Sequence, residues 1–362
     1  MSLRLSKIPY EHVTLPACPV CLTMTTIPVV SFANFLSDNR QDREEVSRQV
    51  YDAFSSVGFI YLKDHGIPQA RVDEIFALVG GGCSPRTSCM LTQLQAKTFF
   101  QLPLTEKLKY KLNDPWVNQG YTADGAEHHD SHKEAYEHRR FANYLCPDDS
   151  KLTGFKSTLD SFYAECLDLS LNVLRCLAMV MNLGDTFFDS ITKRADPQLR
   201  LLHYPPINRS VIDELGEFRI HPHSDFGLCT LLFQDETGGL EIDPLHKNAF
   251  VPAPPIPGTV LINIADLCER FTNGRIKSTR HRVVAPKWWT PFDGDILPPR
   301  YSIPFFVHPD PETIIDPITL TEGEPKLYEV VQAGEWRAFK TAKNYSIDGP
   351  KLGSRVELEA SS

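Results

Sequence analysis

The chain reads as an α+β fold that is mainly β: short antiparallel strands in the second half form a jelly-roll core, and flanking helices enter from the N-terminal half. Three observations carry this reading. From Leu199 onward strand patterns dominate, punctuated by the turn dipeptides Gly238-Gly239, Pro257-Gly258 and Asn273-Gly274. Helical periodicity is concentrated before that point, above all in one long segment. Finally, 362 residues at 42% hydrophobic content can bury a large core, as one extended domain or two small ones, and one is the favoured reading.

In chain order, a strand is expected at Pro28–Phe32, followed by a helix near Arg43–Ser56 with acidic residues at its start and apolar Val46, Val50, Ala53 and Phe54. Gly58 stops that helix, a strand runs to Leu62, and another helix begins after Pro68. The long helix spans about Thr153 to Asn182. Its Phe155, Leu159, Phe162, Cys166, Leu169, Val173 and Leu177 form one stripe that would prop the sheet from outside. No internal repeat is visible, and the last dozen residues, rich in Ser and Glu, read as a loose tail.

One segment interrupts the pattern. Ile75–Leu78 and Ala96–Pro103 would join into a single amphipathic helix were Val79–Gln95 absent, and that stretch carries three glycines and a proline, unsuited to a helix interior. Valine codons begin GT and glutamine can be CAG, so these 17 residues read as a translated, unspliced intron. The alternative is a surface loop between two helices.

The motif that bears chemistry begins at His223-x-Asp225. These residues lead into the strand-like run Leu228–Phe233, so the expectation is that both side chains leave one face of an extended segment. His281 lies in Ile276–Val284, whose alternation also suits a strand and would bring a third ligand from across the sheet. Two imidazoles and one carboxylate are the ligand set of a non-haem Fe(II) site with three open positions. Further on, Arg300-Tyr301-Ser302 repeats the spacing of two. A guanidinium and a hydroxyl on one strand face make a fork for the far carboxylate of a dicarboxylic keto acid, to which Tyr204 could add a phenol donor. His221 shares the spacing but precedes Pro222, and is read as a support or a solvated ring rather than a ligand. Short strands with a terminal iron site resemble a double-stranded β-helix.

A net charge of −9 and the lack of any Lys/Arg run exclude nucleic acid and anionic membrane as main partners, leaving a small molecule; the oligomeric state is open. No apolar run is long enough to span a bilayer, and the first residues lack a signal-peptide core, so a cytoplasmic enzyme is expected. Nine scattered cysteines suit a reducing compartment. Cys18-Pro-Val-Cys21 could be half a zinc site or a redox pair, but Cys83 and Cys89 do not repeat its spacing. His128, His129 and His132 lie in Tyr121–Tyr136, a candidate lid or a solvated loop.

On these motifs, together with Ile27–Phe32 and Val57–Ile67, the chain resembles the isopenicillin N synthase-like branch of the 2-oxoglutarate/Fe(II)-dependent dioxygenases. The phrases LRLLHYPP, GFKSTLDSFYAEC and RYSIPFF are most similar to fungal members that include thymine 7-hydroxylase. The resemblance implies iron held by His223, Asp225 and His281, and 2-oxoglutarate held by Arg300, Ser302 and Tyr204. It also implies O2 as oxidant, with ascorbate as a candidate reductant. The outcome would be hydroxylation or desaturation of a small molecule, in secondary metabolism, with release of succinate and CO2. Family members begin near Met24, which makes residues 1–23 an extension. Residues 24–180 then form the N-terminal helix and strand region with the anomalous insert 79–95, residues 181–345 the catalytic core, and residues 346–362 the tail. Arg200, Phe226 and Phe306 are the candidate substrate-facing residues, from their neighbourhood to the motif. Two other readings stay open: an oxidase of the same fold that does not use 2-oxoglutarate, and an inactive binding protein or mis-spliced product.

Overall fold

The computed structural model describes residues 27–80, 98–114, 117–126, 132–139, 146–194, 197–213, 216, 218–244, 246–286, 289 and 295–345. The extension with Cys18 and Cys21, most of the 79–95 insert, His128, His129 and the tail 346–362 lie outside the described residues. Two facing sheets make a jelly-roll core. The larger has eight strands in the order Val29–Ser31, Phe59–Lys63, Thr259–Ile264, Cys229–Gln234, Arg300–Val307, Gln198–Tyr204, Glu134–His138 and Gly120–Thr122. All neighbours are antiparallel except the first pair. The smaller sheet has four, in the order Val251–Pro252, Leu240–Ile242, His281–Val283 and Ile220–His223. Four of the eight strands in the larger sheet come from before residue 181.

The sheet presents two different faces because its strands alternate. One packs Tyr61, Leu202, Tyr204 and Leu261 toward Leu240, Ile242 and Val283 of the smaller sheet. The other packs Leu199, Leu201, Phe233, Ile303 and Phe305 against the helices. There the long helix Phe155–Val180 buries its predicted stripe: Phe162 meets Phe233 at 5.2 Å and Tyr163 meets Phe305 at 5.0 Å between ring centroids. The first helix starts earlier than its apolar pattern suggests, at Arg40. Asn39 supplies the reason, because its side-chain oxygen accepts from the Gln41 N–H at 3.0 Å and caps the helix.

The interrupted segment has a specific geometry. Helix Gln69–Val79 ends on Gly80 at φ 109°, yet the Phe99 N–H donates to the Leu78 carbonyl at 3.1 Å. Were Val79–Gln95 absent, Phe99 would follow Leu78 by four positions, and this is the hydrogen bond of a continuous α-helix. Phe99 itself is fully buried and touches Phe100, Tyr110, Tyr121, Tyr136 and Phe155.

Two expectations about the site region need correction. His223 and Asp225 do not share one extended segment. His223 ends a strand of the smaller sheet, and Asp225 sits in the connection before Cys229–Gln234 of the larger one, so the motif spans the corner between sheets. The strand around His281 is only His281–Val283. The residues before it are held by other bonds: the Ser278 N–H donates to the Glu269 carboxylate at 2.6 Å, and the Thr279 hydroxyl to the Val57 carbonyl at 2.7 Å. Their apolar alternation reflects burial rather than a ladder. Gly227 makes the corner possible, since a Cβ there would lie 2.1 Å from the Val307 carbonyl oxygen.

Candidate active site

His281 pairs with His223 across the smaller sheet, which sets the two rings 4.3 Å apart, and the corner brings Asp225 to them. One donor atom from each of the three lies within 4.8 Å of the others. The His223 Nδ1–H donates to the His221 carbonyl at 2.8 Å, and the His281 Nδ1–H to the Thr279 carbonyl at 3.2 Å. A carbonyl can only accept, so the neutral rings carry their protons on Nδ1 and turn Nε2 lone pairs toward Asp225 Oδ1, at 3.9 and 3.7 Å. Asp225 Oδ2 accepts from Thr230 Oγ1 at 2.6 Å and Asn263 Nδ2 at 2.7 Å, which leaves Oδ1 for a cation. Burial alone would raise the Asp225 pKa. The charge that the two imidazoles carry when protonated, with the two donated bonds, outweighs it and holds the carboxyl below its ordinary range. Burial, then the neighbouring His281, pushes His223 down, toward the neutral ring that a metal requires. Two neutral nitrogens and one carboxylate oxygen on one side are a fit for Fe(II).

A small cavity of about 70 Å³ leads from these atoms to Arg300, Ser302 and Tyr204, which the strand alternation places on its wall as expected. Arg300 is 1% exposed. It donates to Ser302 Oγ at 3.1 Å and to Gln234 Oε1 at 3.0 Å, and its buried Nε–H has no acceptor among the described residues. The Tyr204 ring lies under the guanidinium at 4.8 Å, a cation–π contact that precedes any role for its hydroxyl. A second buried guanidinium, Arg219, escaped the sequence reading. It donates to the Pro205 and Pro298 carbonyls at 3.2 and 3.1 Å, and among the described residues its Nε–H is also without acceptor. Burial, then the field of Arg300, pushes its pKa down to about 10. Two buried cations with orphaned donors fit an incoming carboxylate.

A larger cavity of about 530 Å³ opens on the other side of His223 and Asp225. Arg200, Phe226 and Phe306 all line it. Arg200, however, is paired with the fully buried Glu137, so its charge is already balanced inside the sheet. Glu137 faces the site because it pairs with Arg200 in register. Asn263 had a legible signal, a polar residue inside the apolar run VLINI. Lys133 and Lys340, which line the larger cavity, and Arg219, whose charge meets that of Arg300, had none, because only tertiary packing brings them there.

Comparison with known proteins agrees with this geometry. Residues 195–309 match the 2OG-Fe(II) oxygenase superfamily, and residues 27–81 and 75–159 match the family described as non-haem dioxygenase in morphine synthesis N-terminal. The N-terminal match divides where the chain is interrupted. The chain is 31% identical to the 2-oxoglutarate-dependent dioxygenase frbA of a Dothideomycetidae species, over 91% of this chain and 100% of that one. It is 29% identical to the proline hydroxylase buaE of Petromyces alliaceus, over 88% of this chain and 98% of that one. The Neurospora crassa thymine 7-hydroxylase, solved with α-ketoglutarate and thymine, superposes with a TM-score of 0.77 at 32% identity, covering 88% of this chain and 97% of that one. A triad fit for iron, a buried cationic fork beside it and these full-length similarities converge: the chain belongs to the 2OG-Fe(II) oxygenase superfamily and is a 2-oxoglutarate-dependent dioxygenase.

Proposed function

We propose that His223 and His281 through Nε2, and Asp225 through Oδ1, hold the iron, and that Arg300, Ser302 and Tyr204 hold the far carboxylate of 2-oxoglutarate. The observation that carries this reading is the pair of Nδ1–H bonds to backbone carbonyls, which orients both Nε2 atoms at the carboxylate. Fe(II) with 2-oxoglutarate and O2 supplies oxidation of an unactivated C–H bond, the co-substrate leaving as succinate and CO2. The chain's own part is to bind, orient and exclude water. Arg300 anchors one end of the co-substrate, Thr230 and Asn263 hold Asp225, and Phe226, Phe306 and Ile220 give the larger cavity its apolar wall. A small molecule is hydroxylated or desaturated there; a cavity of about 530 Å³ suits that size.

Placement in the cytoplasm is part of the same reading, supported by five described cysteines that are all free thiols. Among the described residues no helix is long and apolar enough to cross a membrane. A role in secondary metabolism is supported by the fungal relatives. The test is an anaerobic titration of purified protein with Fe(II) and 2-oxoglutarate, followed by the visible charge-transfer band. A band in the parent protein and none in His223→Ala is expected. A band that survives in His223→Ala refutes the ligand assignment.

A further inference from the structure

The larger cavity has an unequal charge balance. Lys133, Arg200, Arg280, Lys340 and Lys343 line it, and the single carboxylate among its described lining residues is Asp225, which faces the two imidazoles. Arg200 is balanced from behind by Glu137, and Lys340 by Asp266 at 2.6 Å. Among the described residues the Arg280 side chain meets a neutral acceptor, Asn248 Oδ1, at 2.8 Å, and no carboxylate. Lys343 is exposed and forms no hydrogen bond or ion pair with the described residues. The C-terminal helix Ala333–Tyr345 delivers Lys340 and Lys343 from one face, since positions three apart on a helix are neighbours. Phe226 lies beneath Lys340 at 5.1 Å, and Ile220, Pro222 and Phe306 continue the apolar wall toward the ligands. The whole chain carries a charge of −9, so a cationic cavity is a local feature and not a reflection of composition.

We infer that the substrate is a small organic acid whose anionic group meets Arg280 and Lys343 at the outer end of the cavity, while its apolar body lies on Phe226 and Phe306. The inference rests on the site reading above and deepens it. A basic wall with an apolar floor attracts an anion electrostatically and seats a hydrocarbon or aromatic body by burial. The acid group then serves as an anchor, and the oxidised carbon belongs to the apolar body carried by Phe226 and Phe306 in the cavity they share with His223 and Asp225.

The probe is a matched pair, 3-phenylpropanoate and 3-phenylpropanamide, which differ in charge and little in shape. Binding is measured by calorimetry under anaerobic conditions on protein loaded with Fe(II) and 2-oxoglutarate. The loading is verified beforehand by the charge-transfer band, so that failure of the site reading is distinguished from failure of this one. The acid is expected to bind roughly tenfold more tightly than the amide, with an advantage that shrinks at high salt. Lys343→Gln and Arg280→Gln, singly and together, are expected to erase the preference while leaving the charge-transfer titration intact. Equal binding of the pair, failure of the acid to bind at millimolar concentration, or a preference that survives in the double variant overturns the inference.

Discussion

Arg300→Lys separates charge from geometry at the co-substrate end. Arg300 spends one Nη on Ser302 Oγ and the other on Gln234 Oε1, both about 3 Å away, and keeps its Nε–H and remaining fork for a carboxylate. Lysine keeps the positive charge but presents a point donor at the end of a flexible stem. The loss is one charge-assisted hydrogen bond of the bidentate pair, about 1.5–3 kcal/mol, or roughly 10- to 150-fold in affinity for 2-oxoglutarate. In the proposed assignment Arg300 meets the part of 2-oxoglutarate that does not react, so the penalty should fall on KM for that co-substrate, with kcat at saturation largely kept. Two assays read it: the anaerobic charge-transfer titration, and initial rates of succinate release against 2-oxoglutarate concentration. Thermal melting in parallel verifies that Gln234, deprived of its donor, has not unfolded the sheet. An unchanged 2-oxoglutarate affinity in a folded Arg300→Lys protein refutes the assignment of this fork.

Arg219→Met removes the second buried cation and its field on Arg300; a several-fold weaker 2-oxoglutarate affinity in the same titration is expected, and an unchanged one assigns Arg219 to pinning the Pro205 and Pro298 carbonyls alone. Burial, followed by the fields of Arg337 and Arg139, pushes the His308 pKa down to about 3 from its ordinary 6.5. The native ring therefore stays neutral where the unfolded chain takes up a proton. Its contribution to stability is complete above pH 6.5 and is lost as pH falls toward about 3, with a slope of at most about 1.4 kcal/mol per pH unit. Urea unfolding near pH 7 and near pH 5 should show this slope, and His308→Gln should flatten it. Deleting Val79–Gln95 removes a loop-closure cost of about 2.5 kcal/mol and forfeits a similar amount from the buried Val79 side chain, so the melting temperature should stay within a few degrees. An insoluble deletion protein, or a dominant transcript that retains those codons, refutes the retained-intron reading.

The local chemistry was legible without a fold. His223-x-Asp225 with the distal His281 is recognisable from residue types alone, and Arg300-x-Ser302 has the period of a strand, whose side chains two apart share a face whatever the strand pairs with. The long helix was equally legible, because a buried stripe on a helix repeats every three to four residues whether its partner is known or not. What the sequence left out is whatever depends on contact between distant segments. No spacing rule places Arg219 beside Arg300, Glu137 behind Arg200, or Lys343 on the wall of the cavity that His223 and Asp225 also line. Even the His-x-Asp pair was misread locally, as one strand rather than the corner between two sheets, because the period of a strand does not say where the chain changes sheet. Short-range pattern thus determined the identity of the metal-site chemistry. Long-range packing decided the charge and shape of the space around it, and with them the kind of molecule it receives.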